Sequence, residues 1–261
     1  MKAVILAAGR GTRMGSLTQD KPKCLLHFLG KTLLARQVEN FLSSGIKDIF
    51  VVTGYKAGEI DVPGIKKINN DNFAATNMVE SLFCTRPFWL DTIIVSYGDI
   101  VYEKKVLEAL VKAPGDIDVV IDTNGAQYFK DRFGKNFLQE TESLIFSGPD
   151  TLAKLGQPKP ALSEVQGQYI GLLKFTRAGI DIMSNTYDSD KPVYWDKPWL
   201  RSKNFQNGYM TDMVQRIIDK GNVVNSVNIK GGWLEFDSDK DYRMYLDWKD
   251  QGRLDRYWAG E

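Results

Sequence analysis

A glycine-containing segment near the start of the chain carries residue types that could hold a polyphosphate. Gly9 and Gly11 follow an apolar run, Arg13 comes two residues later, and Lys23 follows ten residues further on. Glycines let backbone N–H groups approach phosphate oxygens closely, and a guanidinium can bind such oxygens bidentately. The segment meets neither the GxGxxG dinucleotide pattern, since position 14 is Met14, nor the Walker A pattern. It therefore predicts a nucleotide site of another kind, in which phosphate contacts matter most.

A second candidate residue, Asp99, stands in Gly98-Asp99 directly after the apolar run 92–97. A carboxylate at the end of a strand can hold Mg²⁺, a hard cation that prefers oxygen ligands and bridges substrate phosphates. Taken alone, Gly-Asp after a strand is equally compatible with a plain turn. The dipeptide becomes informative only through the elements around it.

Those elements alternate between buried strands and amphipathic helices. The patterns predict strands at 3–7, 48–53, 65–70, 92–97 and 118–122, and helices at 33–43, 77–88 and 104–111. This alternation is typical of an α/β fold with a mostly parallel sheet and right-handed crossovers. Ligands of such folds bind at the carboxyl ends of the strands, so we expect the glycine segment and Asp99 at one edge.

Composition excludes several classes of partner. The 261 residues carry 34 Lys and Arg against 33 Asp and Glu, a net charge of +1, so no basic excess points to nucleic acid or to an anionic membrane surface. No apolar run approaches the length of a membrane span. Cys24 and Cys84 stand in unrelated contexts, typical of free thiols in a reducing compartment. With Met1-Lys2 leading straight into the first strand, we expect a cytoplasmic enzyme.

The segment LAAGRGTRM followed by KPK resembles the nucleotidyltransferase superfamily (nucleotide-sugar pyrophosphorylase-like). Its members join nucleoside triphosphates to phosphorylated sugars and alcohols and release pyrophosphate. The resemblance implies a Rossmann-like three-layer sandwich of the nucleotide-diphospho-sugar transferase type, with a mixed, mostly parallel sheet. It also implies a single domain over 1–261, whose half 1–125 binds the nucleotide and whose half 126–261 binds the acceptor.

The resemblance assigns roles to the residues of this segment. The glycine loop would wrap the triphosphate, Arg13 would steady the pyrophosphate leaving group, and Lys23 would contact the α-phosphate. It further implies that Asp99 holds the catalytic Mg²⁺ together with Asp237, since 234–238 resembles the late acidic segment of the family. Glu235 is a less favoured ligand, and Asp237 could instead cap the helix that follows.

Two further segments indicate a branch of the superfamily. The residues 72–82 resemble the cytidylyltransferases for phosphocholine and for 2-aminoethylphosphonate, and 167–175 resembles the phosphonate enzymes. Both resemblances imply CTP as the donor. By this resemblance Thr76, Asn77 and Ser81 lie near the cytidine, although Asn77 could equally be a helix cap. The complete set of implied nucleotide contacts is Leu6, Ala8, Gly9, Gly11, Thr12, Arg13, Lys23, Thr76, Asn77 and Ser81.

The acceptor pocket is expected in the second half of the chain. Trp195 and Tyr209 could place aromatic faces around a substrate ammonium, and Asp212 could supply a carboxylate, because a cation over a ring gains about 0.5–2 kcal/mol. The alternatives are packing for the two aromatic residues and a helix cap for Asp212. Lys159, in Lys159-Pro160, could reach the acceptor phosphate or be a solvated loop lysine.

These inferences predict an enzyme that transfers CMP from CTP to a small phosphonate or phosphate monoester and releases pyrophosphate. The acceptor would resemble 2-aminoethylphosphonate or phosphocholine, and Mg²⁺ would be the cofactor. The alternative is a sugar-1-phosphate nucleotidyltransferase that uses UTP or dTTP. The aromatic residues Trp248, Tyr257 and Trp258 leave open a homodimer contact or a cover for the sheet.

Overall fold

A nine-stranded mixed sheet runs through the protein, and the computed structural model describes it within residues 1–260. The strands are β1 Lys2–Leu6, β2 His27–Phe28, β3 Lys31–Thr32, β4 Ile49–Thr53, β5 Ile65–Asn69, β6 Ile93–Tyr97, β7 Ile100–Tyr102, β8 Ile117–Asp122, β9 Glu142–Gly148, β10 Thr151–Pro158, β11 Gln168–Phe175, β12 Asn225–Ile229 and β13 Trp233–Glu235. The α-helices are α1 Leu33–Ser43, α2 Met78–Phe83, α3 Lys104–Lys112, α4 Gly125–Phe133, α5 Arg177–Tyr194, α6 Met210–Asp219 and α7 Asp239–Asp250.

The strand order of the large sheet is β5-β4-β1-β6-β11-β8-β12-β10-β9. The pairs β5–β4, β4–β1, β1–β6 and β8–β12 are parallel, whereas β11 runs antiparallel between β6 and β8. The strands predicted from the sequence are confirmed, and the sheet is mixed, as the resemblance implied. Because β11 comes from the second half of the chain, the two halves share one sheet.

Helices cover both faces of the sheet, which gives the predicted three layers. One apolar core contains buried residues of α1, α3, α4 and α7, and a second core contains those of α2, α5 and α6. Strands covered in this way are apolar along their whole length, as β4 and β8 are. None of the helices within residues 1–260 is long and apolar enough to cross a membrane.

The three aromatic residues Trp248, Tyr257 and Trp258 are buried in the first of these cores, with exposures of 4%, 5% and 3%. The ring centroids of Trp248 and Tyr257 lie 5.1 Å apart, and the guanidinium of Arg36 lies 5.1 Å from the ring of Trp258. These side chains cover the layer beneath them and do not form an exposed surface for a dimer contact.

Helix α2 is shorter than its pattern predicts. The expected helix at 77–88 ends at Phe83, and a 3₁₀ turn follows at Arg86–Phe88. Pro87 explains the early end, because proline has no N–H to donate and its ring collides with the preceding helical turn. Helix α1, in contrast, spans the predicted residues, and its N-cap Thr32 accepts a hydrogen bond from the Ala35 N–H at 3.0 Å.

A buried glutamine of α1 fixes the turn between β6 and β7, which carries Asp99. Gln37 is fully buried, and its side-chain amide donates to the carbonyl of Tyr97 at 2.9 Å and to that of Ile100 at 2.7 Å. Its Oε1 accepts from the Ser96 hydroxyl at 2.8 Å. One side chain therefore satisfies polar groups on both sides of the turn.

We expect Gln37→Leu to lower the free energy of unfolding by about 2–4 kcal/mol, because leucine leaves several buried polar groups without partners. Urea unfolding followed by circular dichroism measures the change. The matched control is Glu39→Gln on the exposed side of the same helix, where a solvated ion pair with Lys31 contributes at most about 1 kcal/mol. Equal stabilities of the two variants would contradict this role of Gln37.

Candidate active site

The ends of β1 and β6 border a cleft of about 190 Å³, which we call the first cleft. Residues of the loop after β1, of the segment that leads into α2 and of the Gly98-Asp99 turn line it. Gly11 has a left-handed φ of +69°, and a Cβ there would lie only 2.9 Å from the Cβ of Lys23. Glycine at this position therefore lets Lys23 pack directly against the loop.

Lys23 lies at the centre of the charged groups in this region. Its side chain is only 12% exposed, and its Nζ lies 2.7 Å from Asp99 Oδ2 and 3.6 Å from Asp237 Oδ1. Burial alone would lower the pKa of Lys23, but the charges of Asp99 and Asp237 outweigh it and raise the pKa above its ordinary value. Lys23 is thus held as a cation between two carboxylates that are far apart in the sequence.

Strand pairing explains why those two carboxylates meet. Strand β13 runs antiparallel to β7, with Glu235 opposite Ile100, and the Phe236 N–H donates to the Asp99 carbonyl at 2.9 Å. The residue that follows, Asp237, therefore lies beside the Gly98-Asp99 turn. Arg13 donates to Asp237 Oδ1 at 2.9 Å from the other side. Burial would raise the pKa of Asp237, but the charges of Lys23 and Arg13 lower it overall.

A buried arginine of α4, Arg132, forms ion pairs with carboxylates of this region. Arg132 is fully buried, and its guanidinium lies 2.8 Å from Glu235, 3.1 Å from Asp241 and 3.7 Å from Asp237. Three aromatic rings surround it, those of Tyr128, Phe129 and Phe133. The sequence analysis missed Arg132, because nothing in its local pattern distinguishes it from a surface arginine at the end of a helix.

Glu235 differs from its neighbours in its protonation. Burial and the charge of Asp237 raise its pKa to about 8, although Arg132 acts in the opposite direction. Glu235 thus takes up a proton more readily than an ordinary glutamate, while Asp237 remains ionised.

The alternative role of Asp237 as a helix cap does not apply. Ser238 is the N-cap of α7: its hydroxyl accepts from the Asp241 N–H at 3.4 Å, and Asp241 Oδ2 accepts from the Ser238 N–H at 2.8 Å. Asp237 precedes this capping box, and its carboxylate is directed toward the cations.

The carboxylates in this region fit a hard divalent cation. Asp99 Oδ2 accepts from Lys23, whereas Asp99 Oδ1 is buried without a hydrogen-bond partner among residues 1–260. Both Asp99 and Asp237 approach the same point, the Lys23 ammonium. Within residues 1–260, no group of three or more Cys, His, Asp or Glu residues could hold a metal ion by itself. Two carboxylates with the remaining ligands from phosphates and water is a typical arrangement for Mg²⁺.

A second cleft adjoins the first and shares Met78 and Asp99 with it. The rings of Tyr97 and Tyr169 lie 5.8 Å apart, edge to face, in its lining. Gly171 on β11 has φ +84°, and a Cβ there would lie 2.6 Å from the Tyr97 ring, so glycine is required for this packing. Asp99 thus lies where the two clefts meet.

Most of the predicted nucleotide contacts lie in one place. The residues of that set that line the first cleft are Leu6, Ala8, Gly9, Gly11, Lys23, Thr76, Asn77 and Ser81. Arg13 lines the second cleft, and Thr12 is exposed and lines neither. Asn77 caps α2 and also lines the first cleft, so its two interpretations are compatible. Asn70, which the sequence analysis missed, donates to Thr76 Oγ1 at 3.1 Å and to Ser81 Oγ at 3.0 Å.

The predicted acceptor residues are not brought together. Tyr209 lines the second cleft, but Trp195, Lys159 and Asp212 do not. Asp212 is 2% exposed, and its carboxylate accepts from the backbone N–H of Tyr209 at 3.1 Å and from the Ser202 hydroxyl at 2.5 Å. The Trp195 ring lies 4.8 Å from the Lys191 ammonium, and Lys159 is an exposed residue with φ +52°. Asp212 therefore caps α6, which was the alternative role, and Trp195 does not join Tyr209 in the lining of the second cleft.

Comparison with known protein families gives one match to most of the chain. The family described as "MobA-like NTP transferase domain" matches residues 3–202. The chain is 33% identical over 260 residues to the CTP:phosphoglutamine cytidylyltransferase of Campylobacter jejuni, covering 95% of this chain and 100% of that protein. It is also 29% identical over 117 residues to the choline-phosphate cytidylyltransferase of Streptococcus pneumoniae, covering 43% of this chain and 51% of that protein.

Solved structures show the same fold at lower identity. The CTP:phosphocholine cytidylyltransferase from Streptococcus pneumoniae superposes with a TM-score of 0.70 at 22% identity, covering 94% of this chain and 97% of the other. The inositol-1-phosphate CTP transferase from T. maritima gives a TM-score of 0.71 at 17% identity, covering 99% and 98%. The sheet and its flanking helices are therefore those of the nucleotide-diphospho-sugar transferase fold.

The raised pKa of Glu235 leads to a prediction about stability and pH. Because its pKa rises from an ordinary value of 4.5 to about 8 on folding, the folded protein binds this proton more tightly than the unfolded chain does. The free energy of unfolding should therefore fall as the pH rises through this window, and Glu235→Gln should reduce the fall.

Urea unfolding of metal-free protein at about pH 5.5 and about pH 8.5 measures this difference. Glu59→Gln, which removes an exposed carboxylate, should keep the wild-type dependence. If the free energy of unfolding of Glu235→Gln falls between the two pH values by as much as that of the wild type, Glu235 is not the source of the pH dependence.

Proposed function

The chain belongs to the MobA-like NTP transferase family and is a nucleotidyltransferase, and from that premise we propose that it transfers CMP from CTP to a small phosphate or phosphonate acceptor and releases pyrophosphate. The observation that carries the proposal is the position of Lys23. Its ammonium lies between Asp99 and Asp237 at the junction of the two clefts, where the reacting groups of two substrates would meet.

The choice of CTP is supported by the named activities of relatives that match this chain. Relatives in Campylobacter jejuni, Streptococcus pneumoniae and Streptomyces rubellomurinus are cytidylyltransferases or a CMP-phosphonate synthase by name. Their acceptors differ, but each named acceptor is a phosphate or a phosphonate. The first cleft would take the nucleotide, because the glycine loop and Lys23 line it, and the second cleft would take the acceptor.

The reaction brings two anions together, so the protein must neutralise charge in the transition state. An oxygen of the acceptor phosphate or phosphonate would attack the α-phosphorus of CTP in line, and the bond from that phosphorus to the β-phosphate oxygen would break. The attacking oxygen is already anionic and needs no general base. Lys23 would bind the α-phosphate, and Arg13 would stabilise the negative charge that develops on the leaving pyrophosphate.

Asp99 and Asp237 are the residues that would hold Mg²⁺, which when bound supplies positive charge to phosphate oxygens. In this arrangement Arg132 keeps Asp237 in place from behind, at 3.7 Å, and fixes Glu235 beside it at 2.8 Å. The carboxylates are thereby oriented before any substrate arrives.

The proposal is tested by measuring pyrophosphate release with Mg²⁺ while each of the four nucleoside triphosphates is combined with a panel of acceptors. The panel contains 2-aminoethylphosphonate, 2-hydroxyethylphosphonate, phosphocholine, phosphoethanolamine, O-phosphoserine and glucose 1-phosphate. We expect pyrophosphate release with CTP and with none of the other three nucleoside triphosphates. At least one acceptor other than glucose 1-phosphate should support it. Release with only UTP or dTTP and glucose 1-phosphate would replace the proposal by a sugar-1-phosphate nucleotidyltransferase.

We expect Lys23→Met and Asp99→Asn each to lower kcat by about 100-fold or more, since each removes a preorganised charge at the reacting phosphate. Steady-state pyrophosphate release with the best acceptor measures the effect. Lys21→Met is the matched control, because Lys21 lies two residues away and lines neither cleft. Turnover near the wild-type value in either variant would reject the role given to that residue.

A further inference from the structure

A tight turn at 199–202 presents Arg201 to the second cleft. Trp199 and Ser202 exchange backbone hydrogen bonds of 3.1 and 3.0 Å, and Leu200 between them has a left-handed φ of +52°. Asp212 accepts from the backbone N–H of Arg201 at 3.3 Å and from the Ser202 hydroxyl at 2.5 Å. A non-glycine residue in this backbone region persists only where its surroundings enforce it. The turn is therefore held firmly, and Arg201 with it.

The guanidinium of Arg201 is also fixed but has unused donors. Its side chain is 16% exposed and lies 4.4 Å from the centre of the Tyr209 ring. One terminal nitrogen donates to Thr211 Oγ1 at 2.9 Å, and the other forms an ion pair with Glu142. The Nε is buried and lies 3.9 Å from Asp212 Oδ1, but it has no hydrogen-bond partner among residues 1–260. Of the five N–H groups of a guanidinium, these contacts use two.

The second cleft is lined by charged groups of both signs. The Arg201 guanidinium lies 4.4 Å from the centre of the Tyr209 ring, so a positive charge already occupies one face of that ring. Five carboxylates of residues 1–260 line the same cleft, and Glu140 and Glu142 are the two that do not belong to the group around Lys23 and Arg132. Glu140 is exposed, whereas Glu142 lies beside the guanidinium. The wall thus offers both signs of charge within one cleft.

We propose that the second cleft takes an acceptor whose head group carries a carboxylate and an ammonium group together, as an α-amino acid does. The carboxylate binds Arg201, whose planar guanidinium suits a carboxylate, and the ammonium lies toward Glu140 and Glu142. Asp99 lines the same cleft, so the phosphate or phosphonate end of the acceptor lies there. This inference rests on the proposed function and names its class of acceptor, phosphorylated or phosphono amino acids.

Matched acceptors test the inference on the wild-type enzyme with CTP. Three phosphono amino acids of increasing chain length are each compared with the aminoalkylphosphonate that lacks only the carboxylate. They are 2-amino-3-phosphonopropionate, 2-amino-4-phosphonobutyrate and 2-amino-5-phosphonopentanoate. The effect of chain length is thereby separated from the effect of the carboxylate. O-Phosphoserine is compared with 3-phosphoglycerate, in which a hydroxyl replaces the amine. In the best pair we expect the amino acid to have at least about a tenfold higher kcat/KM, the range of one charge-assisted contact.

Variants then assign the contact to Arg201. In Arg201→Met the preference for the carboxylate-bearing member of the pair should collapse to within about threefold, mainly through KM, and Arg201→Lys should recover part of it. Turnover of the aminoalkylphosphonate by these variants reports that they are folded. Lys203→Met, which removes an exposed lysine of the same segment outside the cleft, should keep the wild-type preference.

Three results would overturn the inference. A wild-type preference for phosphocholine or for aminoalkylphosphonates over the amino acids would leave the proposed function intact and reject this class of acceptor. Retention of the preference in Arg201→Met would reject Arg201 as the residue that binds the carboxylate. Absence of CTP-dependent pyrophosphate release with every acceptor would remove the proposed function and this inference together.

Discussion

The balance of charge at the junction of the two clefts is the constraint on which the rest of the structure depends. The groups involved are three carboxylates and three cations, namely Asp99, Glu235 and Asp237 with Arg13, Lys23 and Arg132. Carboxylates this close and this buried would not stay ionised without adjacent positive charge. Burial, and then the charge of Asp237, raise the pKa of Glu235 to about 8 even with Arg132 beside it. The framework must therefore bring acids and bases from distant parts of the chain to one place.

The pairing of the strands brings these charged groups together. The carboxyl ends of β1 and β6 are neighbours because these strands are parallel, which puts the glycine loop beside Asp99. The pairing of β13 with β7 then extends to Asp237, although it lies more than a hundred residues further along the chain. Gln37 satisfies the polar groups around the turn, so the position of Asp99 is set by α1 as well as by the sheet. The same elements that form the core thus determine where the charges lie.

This dependence explains what the sequence could and could not predict. The glycine loop, Lys23 and Asp99 were identifiable because each follows a strand or lies in a short motif. Periodicity predicted five of the thirteen strands and three of the seven α-helices within residues 1–260, all in the first half of the chain. Arg132 and Arg201 carried no local signal, because their partners come from other elements, as Glu235 and Glu142 do. The sequence left two roles open for Asp212, because an acid at the start of a helix looks the same whether it faces a cleft or caps the helix, and its contact with the Tyr209 N–H is that of a cap.

The arrangement also bears on how a highly charged nucleotide could enter the site. Lys23 pairs with Asp99 at 2.7 Å, and Arg13 pairs with Asp237 at 2.9 Å, so each of these cations has a carboxylate partner. In the proposed mechanism the two cations would exchange these carboxylates for phosphate oxygens, and Asp99 and Asp237 would then be the residues that hold a divalent cation. Each group keeps a partner of opposite charge throughout, so the cost of leaving a buried charge unpaired does not arise. The close contact of Lys23 with both acids thus places a cation and two carboxylates where metal and triphosphate would be bound together in the proposed mechanism.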